Sequence, residues 1–329
     1  PSGTWTTVLD PMDRGGPYTL TAGQGSENVT LRDIYFGDVW LCSGQSNMVM
    51  TVSQIANASQ ELADAARYPY VRVFAAAPAR SDVELEDLER INLPWSIPTA
   101  ENLGHGNFTY FSAVCWLLGR YLYEALRYPV GLVEAAWGGT PVETWSSPRA
   151  LRACGLPEDT ESKDPLFAGV PPLVFCSPLS PDLSSSISPH RQLSGPQTPS
   201  VLWNAMIHPL LNMTLRGIAW YQALRACGLP EDTERSCRVP NPGQGPQRPF
   251  LGPMAEPLHP CVCVCPLPNS TSQLSTYRRQ SPDDSFARLR WHQTADLGVV
   301  PNARMPGTFM AVAMDLGDER SPYGRTHPR

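Results

Sequence analysis

The chain has 329 residues, a mass of 36.1 kDa, 42% apolar and 17% charged residues; that is enough apolar content to bury a full-sized core, so disorder throughout and a fibrous repeat are excluded. Its 25 basic and 31 acidic residues give a net charge of −6 with no basic stripe, which leaves a phosphate backbone no electrostatic footprint and argues against nucleic acid as a partner. No window approaches the run of about 18 apolar residues that a membrane helix needs, so no membrane span is expected.

Residues 1–37 read as short strands at 4–9, 17–20 and 29–31 separated by Gly, Pro and Asp clusters, the remnant of an N-terminal β-domain. Residues 38–42 form a continuous apolar strand that ends in the turn Ser43-Gly44-Gln45-Ser46, after which 48–66 can run as a helix. A second strand is predicted at 70–75, an amphipathic helix at 112–128, and a buried strand at 130–135 closed by Trp137-Gly138-Gly139-Thr140. A helix at 202–211, a strand at 217–221 and a strand at 308–314 follow. Alternation of apolar strands with helices predicts an α/β fold, a parallel sheet flanked by helices, whose sites sit at the carboxyl ends of the strands.

Two stretches interrupt this pattern. More than half of the 35 prolines fall within 156–200 and 229–269, which carry little apolar periodicity. Segments 156–200 and 223–280 are therefore expected to be irregular insertions, with the main domain made of 38–222 and 281–329. The run ALRACGLPEDTE at 150–161 recurs unchanged at 223–234. Stacking repeats diverge and recur many times, so a single verbatim copy reads as a partial duplication or an assembly error.

The compartment leaves a weak signature. Five N-x-[ST] triplets, at Asn28, Asn57, Asn107, Asn212 and Asn269, point to glycosylation and the secretory route. Nine cysteines leave at least one thiol unpaired, and the sequence does not settle their pairing. Cys261, Cys263 and Cys265 alternate, but prolines crowd them and no histidine follows at zinc-finger spacing, so no metal is expected.

A serine at a strand-to-helix turn exposes its Oγ and sets its N–H at a helix start, which suits attack and oxyanion binding. Ser46 stands there, but Met48 occupies the glycine position of a G-x-S-x-G elbow. From the pattern alone, a turn serine capping a helix competes with a nucleophile.

The segment GDVWLCSGQSNM at 37–48 resembles the nucleophile segment of the sialate O-acetylesterases, which are SGNH hydrolases. AWGGTPVETWS at 136–146, VLWNAMIHPL at 201–210, and RWHQTAD at 290–296 running on to Asp315-Leu316-Gly317-Asp318 and His327-Pro328 resemble the same family in the same order. The resemblance implies an SGNH-like α/β fold and a secreted or lysosomal serine esterase that removes O-acetyl groups from sialic acids or sialoglycoconjugates without a cofactor. It implies Ser46 as nucleophile and His327 as general base and then acid. Because Gly324 stands three residues before that histidine, the triad acid falls to Asp315 or Asp318. Oxyanion donors would be the N–H of Ser46 and of Gly138 or Gly139, with Gln45 and Asn47 completing the nucleophile turn.

One position departs from the family. Its third oxyanion donor is an asparagine in a Gly-Glu-Ser-Asn run after Trp-Tyr-Gln, but here Trp220-Tyr221-Gln222 is followed by Ala223-Leu224-Arg225, the start of the repeat copy. A catalytically impaired or inactive relative that only binds acetylated glycans is therefore the alternative, and acetylated polysaccharide is the other substrate class to weigh. His208, His292, Trp137, Trp145 and Trp203 read as packing or backbone-bonded residues at least as well as site residues.

Overall fold

The computed structural model describes residues 7–24, 26–153, 195–222, 269–272, 290–291 and 293–312. Gly15–Gln24 (β1) and Glu27–Phe36 (β2) pair antiparallel as a two-stranded sheet that includes the expected strands at 17–20 and 29–31. Of the strand expected at 4–9, residues 7–9 are irregular and exposed and 4–6 lie outside the described residues.

Asp38–Gly44 (β3), Val71–Ala76 (β4), Ile91–Ser96 (β5), Val130–Ala136 (β6), Gly217–Tyr221 (β7), Asn269–Ser272 (β8) and Thr308–Ala311 (β9) build the main sheet. Among the described residues their order is β5-β4-β6-β3-β7-β8-β9, with every pairing parallel except that of the edge strand β5. The helix-flanked, mostly parallel sheet expected from the sequence is thus the fold. Both faces are covered: Cys42, Val71, Val73, Val130 and Leu132 pack on one side, and Leu41, Phe74, Val133 and Ala135 on the other. Burial on alternate faces explains why these strands read as unbroken apolar runs.

Three expectations change. The predicted helix over 48–66 is broken into Ser46–Val49 (α1), a 3₁₀ turn at Val52–Gln54 and Ala58–Asp64 (α2). The break has a tertiary cause: the Thr51 hydroxyl donates to the Gly106 carbonyl (2.7 Å), and Gln54 Oε1 accepts the Phe108 N–H (2.8 Å). The predicted helix at 202–211 is present, but its winding changes: Trp203–Ile207 is a π-helical turn and His208–Leu210 a 3₁₀ turn, in which Pro209 has no N–H to continue an α-helix. Third, the polar run Asn269–Ser272 inside the segment expected to be irregular forms β8, with β7 and β9 supplying the pairing its composition does not advertise. β5 was also not legible, because Pro94 breaks its pattern; an edge strand tolerates proline.

Ala100–Gly104 (α3) precedes Ala113–Leu126 (α4), the long helix expected over 112–128. Ser112 caps α4 by accepting the Cys115 N–H on its hydroxyl (3.1 Å), and Arg127 ends it in the left-handed region. α4 lies on β6 where Gly119 leaves room: a β-carbon there would come within 2.4 Å of Leu132 Cδ1. A disulfide between Cys42 and Cys115 joins β3 to α4. Pro148–Ala153 (α5) closes the stretch before residue 154.

Candidate active site

The register of three adjacent parallel strands makes the site. Gly44 pairs with Ala136 on one side and with Tyr221 on the other, so β6, β3 and β7 end level. The residues that follow each strand, Ser46, Gly138 and Gln222, are therefore delivered to one edge of the sheet. β8 and β9 end at the same edge, Ser272 pairing with Ala311.

The turn at residues 44–46 is a close backbone fit. Gly44 has φ +141, and a β-carbon on it would lie 2.2 Å from the Tyr221 carbonyl oxygen. Only glycine lets the chain turn here while Gln45 donates its N–H to that same carbonyl (3.1 Å). Ser46 then opens α1 with its side chain exposed, while Met48 is buried beneath it. α1 is a single turn of four residues rather than the start of a long helix, so any dipole contribution at Ser46 is smaller than the sequence suggests. Gln45 and Asn47 flank Ser46 in half-buried positions.

Across from this turn, Trp137 continues the ladder by donating its N–H to the Gly44 carbonyl (3.1 Å). Gly138 comes next and lies against Ser46, where a β-carbon would stand 3.2 Å from Ser46 Oγ. Gly139 has φ +75 with open space at its α-carbon. The turn is gripped from below. The Thr140 hydroxyl donates to the Trp137 carbonyl (2.8 Å) and accepts the Trp145 indole N–H (2.8 Å). Gln222 Nε2 donates to the Thr140 carbonyl (2.8 Å), and Gln197 Nε2 to the Gly139 carbonyl (2.7 Å). Thr140, Trp145 and Gln222 are all buried.

A buried carboxyl underlies the same region. Glu134 on β6 accepts the Ser112 N–H on Oε2 (2.7 Å), and the Ser112 hydroxyl donates to Met48 Sδ. Burial pushes Glu134 up from 4.5 to about 8, with the Ser112 N–H pulling the other way. The side chain is therefore mostly protonated at pH 7.

Of the residues singled out in the sequence, the fold brings together Gln45, Ser46, Asn47, Gly138 and Gly139. His327, Asp315, Asp318 and His292 lie outside the described residues, as do Cys261, Cys263 and Cys265. His208 bonds through Nδ1 to the Leu85 carbonyl (2.9 Å), and Trp203 donates to Glu84, which makes both of them ties to the loop 81–88. Trp145 is buried against Trp220. Thr140, Gln197, Gln222 and Glu134 were missed as site supports. Thr140 and Gln222 stood inside or beside motifs, but the bond that joins them spans 82 residues of sequence. Among the described residues, no group of three or more His, Cys, Asp or Glu side chains could hold a metal ion, and no helix is long and apolar enough to cross a membrane.

No protein-family model matches the chain. Along its whole length it is 49% identical to the sialate O-acetylesterase of Mus musculus, 50% to that of Rattus norvegicus and 48% to that of Homo sapiens. The chain spans 61% of the two rodent proteins and 58% of the human one, about three fifths of these relatives' length. Among solved structures, a carbohydrate acetylesterase from Xanthomonas citri superposes with a TM-score of 0.64 at 23% identity, covering 97% of this chain and 59% of that one. At that identity the likeness is one of fold.

Proposed function

The chain is a homologue of the sialate O-acetylesterases along its whole length, and from that premise we propose that it is a serine esterase removing O-acetyl groups from sialic acids or sialoglycoconjugates. The observation that carries the reading is the placement of Ser46: exposed at the carboxyl end of the central strand, with its Oγ against Gly138. Ser46 attacks the acetyl carbonyl and forms an acetyl-serine intermediate, which water then hydrolyses. The carbonyl oxygen, negative in each tetrahedral step, is stabilised by the N–H groups of Ser46 and of Gly138 or Gly139. His327, carried over from the family resemblance, takes the serine proton and returns it to the departing sugar oxygen, and Asp315 or Asp318 orients it.

The test is hydrolysis of a chromogenic acetyl ester and of an O-acetylated sialoside by the secreted chain and by Ser46→Ala. Turnover that falls by about 10⁴-fold or more in the variant is expected, since the nucleophile is lost. Equal rates from two folded proteins would overturn the reading. Faster cleavage of acetylated xylan than of the sialoside would keep the chemistry and replace the substrate.

A second reading rests on one observation. Gln222 is followed by Ala223-Leu224-Arg225 where the family motif carries its oxyanion asparagine. Loss of one such donor typically costs about 10²- to 10³-fold in rate, so a slow esterase, or a binder of acetylated glycans, is the form in which this reading would be met.

A secreted or lysosomal location is part of the proposal. It is supported by the Cys42–Cys115 disulfide, which suits an oxidising compartment. The exposed positions of Asn28, Asn57, Asn107 and Asn212 in glycosylation triplets also support it.

A further inference from the structure

The peptide between Trp137 and Gly138 has two edges. On one, the Trp137 carbonyl accepts the Thr140 hydroxyl at 2.8 Å. On the other is the Gly138 N–H, one of the two amides that could serve beside Ser46. A trans peptide is planar with its C=O and N–H pointing opposite ways, so whatever fixes the carbonyl also fixes the amide. Gly138 has no side chain to settle its own orientation, and its neighbour Gly139 sits in the left-handed region; left alone, this would be the most pliable part of the site.

Thr140 removes that freedom through three bonds. Its hydroxyl donates to Trp137 and accepts from the Trp145 indole, which is buried and so cannot trade the bond for water. Its carbonyl is held by the buried Gln222 amide at the end of β7. Thr140 thereby ties the glycine turn of β6 both to Trp145 and to β7, whose Tyr221 carbonyl also holds the nucleophile turn through Gln45.

We propose that Thr140 is a positioning residue, whose hydroxyl and carbonyl hold the Gly138 amide in place beside Ser46. The role rests on the esterase reading for its consequence in catalysis but not for its geometry, and the experiment separates the two. Thr140→Val keeps the shape and removes the hydroxyl, whereas Thr140→Ser keeps the hydroxyl. Gln222→Met, which removes only the bond to the Thr140 carbonyl, serves if Thr140→Val does not fold.

Two readouts are needed: kcat and KM for an acetyl ester, and deuterium uptake in a peptide spanning residues 136–145. Thr140→Val is expected to lower kcat by about 10- to 100-fold, part of what a whole oxyanion donor is worth, with KM changed by no more than about 2-fold. Its uptake in 136–145 should accelerate. Thr140→Ser should restore both, and Gln222→Met should shift both in the same direction to a smaller extent. Wild-type uptake in a folded Thr140→Val protein overturns the proposal, as does accelerated uptake with wild-type kcat. If the unmutated chain shows no turnover that depends on Ser46, the esterase reading falls. The uptake comparison then still decides whether Thr140 holds the turn.

Discussion

Glu134 shows how one residue's surroundings add a pH-dependent term to the stability of the chain. Its carboxyl is buried on β6, with the Ser112 N–H bonded to Oε2 and its pKa pushed from 4.5 to about 8 by desolvation. Between those values the folded chain keeps a proton that the unfolded chain has released. Stability should therefore fall as pH rises through this window, on the order of 1 kcal/mol per unit, and level off above about pH 8. Glu134→Gln cannot ionise, so its melting temperature is expected to exceed that of the parent by a margin that is small near pH 5 and largest near pH 8. A margin that does not change with pH would contradict a neutral buried carboxyl. Gly44 is a simpler case at the same scale. A β-carbon there would strike the Tyr221 carbonyl at 2.2 Å, with the backbone already at φ +141. Gly44→Ala should separate β3 from β7 and abolish soluble, folded protein, judged by circular dichroism and recovery.

Among the elements, α4 supports the turn that carries Ser46. Its N-terminus meets α1, with the Ala113 N–H bonded to the Met50 carbonyl (2.6 Å) and Ser112 bonded to Met48 and Glu134. Its middle rests on β6 through Gly119, whose missing side chain is filled by Leu132. Gly119→Ala replaces a helix-breaking residue by a better helix former, which alone would stabilise by up to about 1 kcal/mol. Overpacking against Leu132 costs about 1–3 kcal/mol and should win. The variant is expected to unfold at lower urea concentration with an unchanged slope. A higher midpoint would show that α4 can ride away from the sheet without loss.

For the molecule as a whole, the order of the main sheet puts the site at its centre. β3 lies between β6 and β7, so the turns that follow three neighbouring strands meet there. The Cys42–Cys115 disulfide fastens this centre to α4 across a sequence separation of 73 residues. On a chain-entropy model a loop of that length is worth about 4 kcal/mol. Reduction under native conditions, or the Cys42→Ala and Cys115→Ala double variant, should lower the denaturation midpoint to a degree consistent with a loss of this order. An unchanged midpoint would mean that packing of the two buried positions carries the contact alone.

What the sequence by itself determined was local. Apolar runs identified β3, β4, β6 and β7, turn residues put Ser46 and the Gly138-Gly139 pair directly after two of these strands, and an amphipathic pattern marked α4. The motif resemblance then named the family to which the chain proved homologous. Each of these signals lies within a few consecutive residues. The broken helix after Ser46, β8 in a polar run, the neutral state of Glu134, the disulfide and the Gln222 bond to Thr140 were decided only by the tertiary structure. In each of them the energetics come from parts of the chain tens of residues away: Gly106 for Thr51, β7 and β9 for β8, the surrounding core that desolvates Glu134, Cys115 for Cys42, and Gln222 for the Thr140 carbonyl. Hydrogen bonding and burial depend on distance in space, and the register of the parallel strands together with the packing of helices and loops on them is what made those distances short.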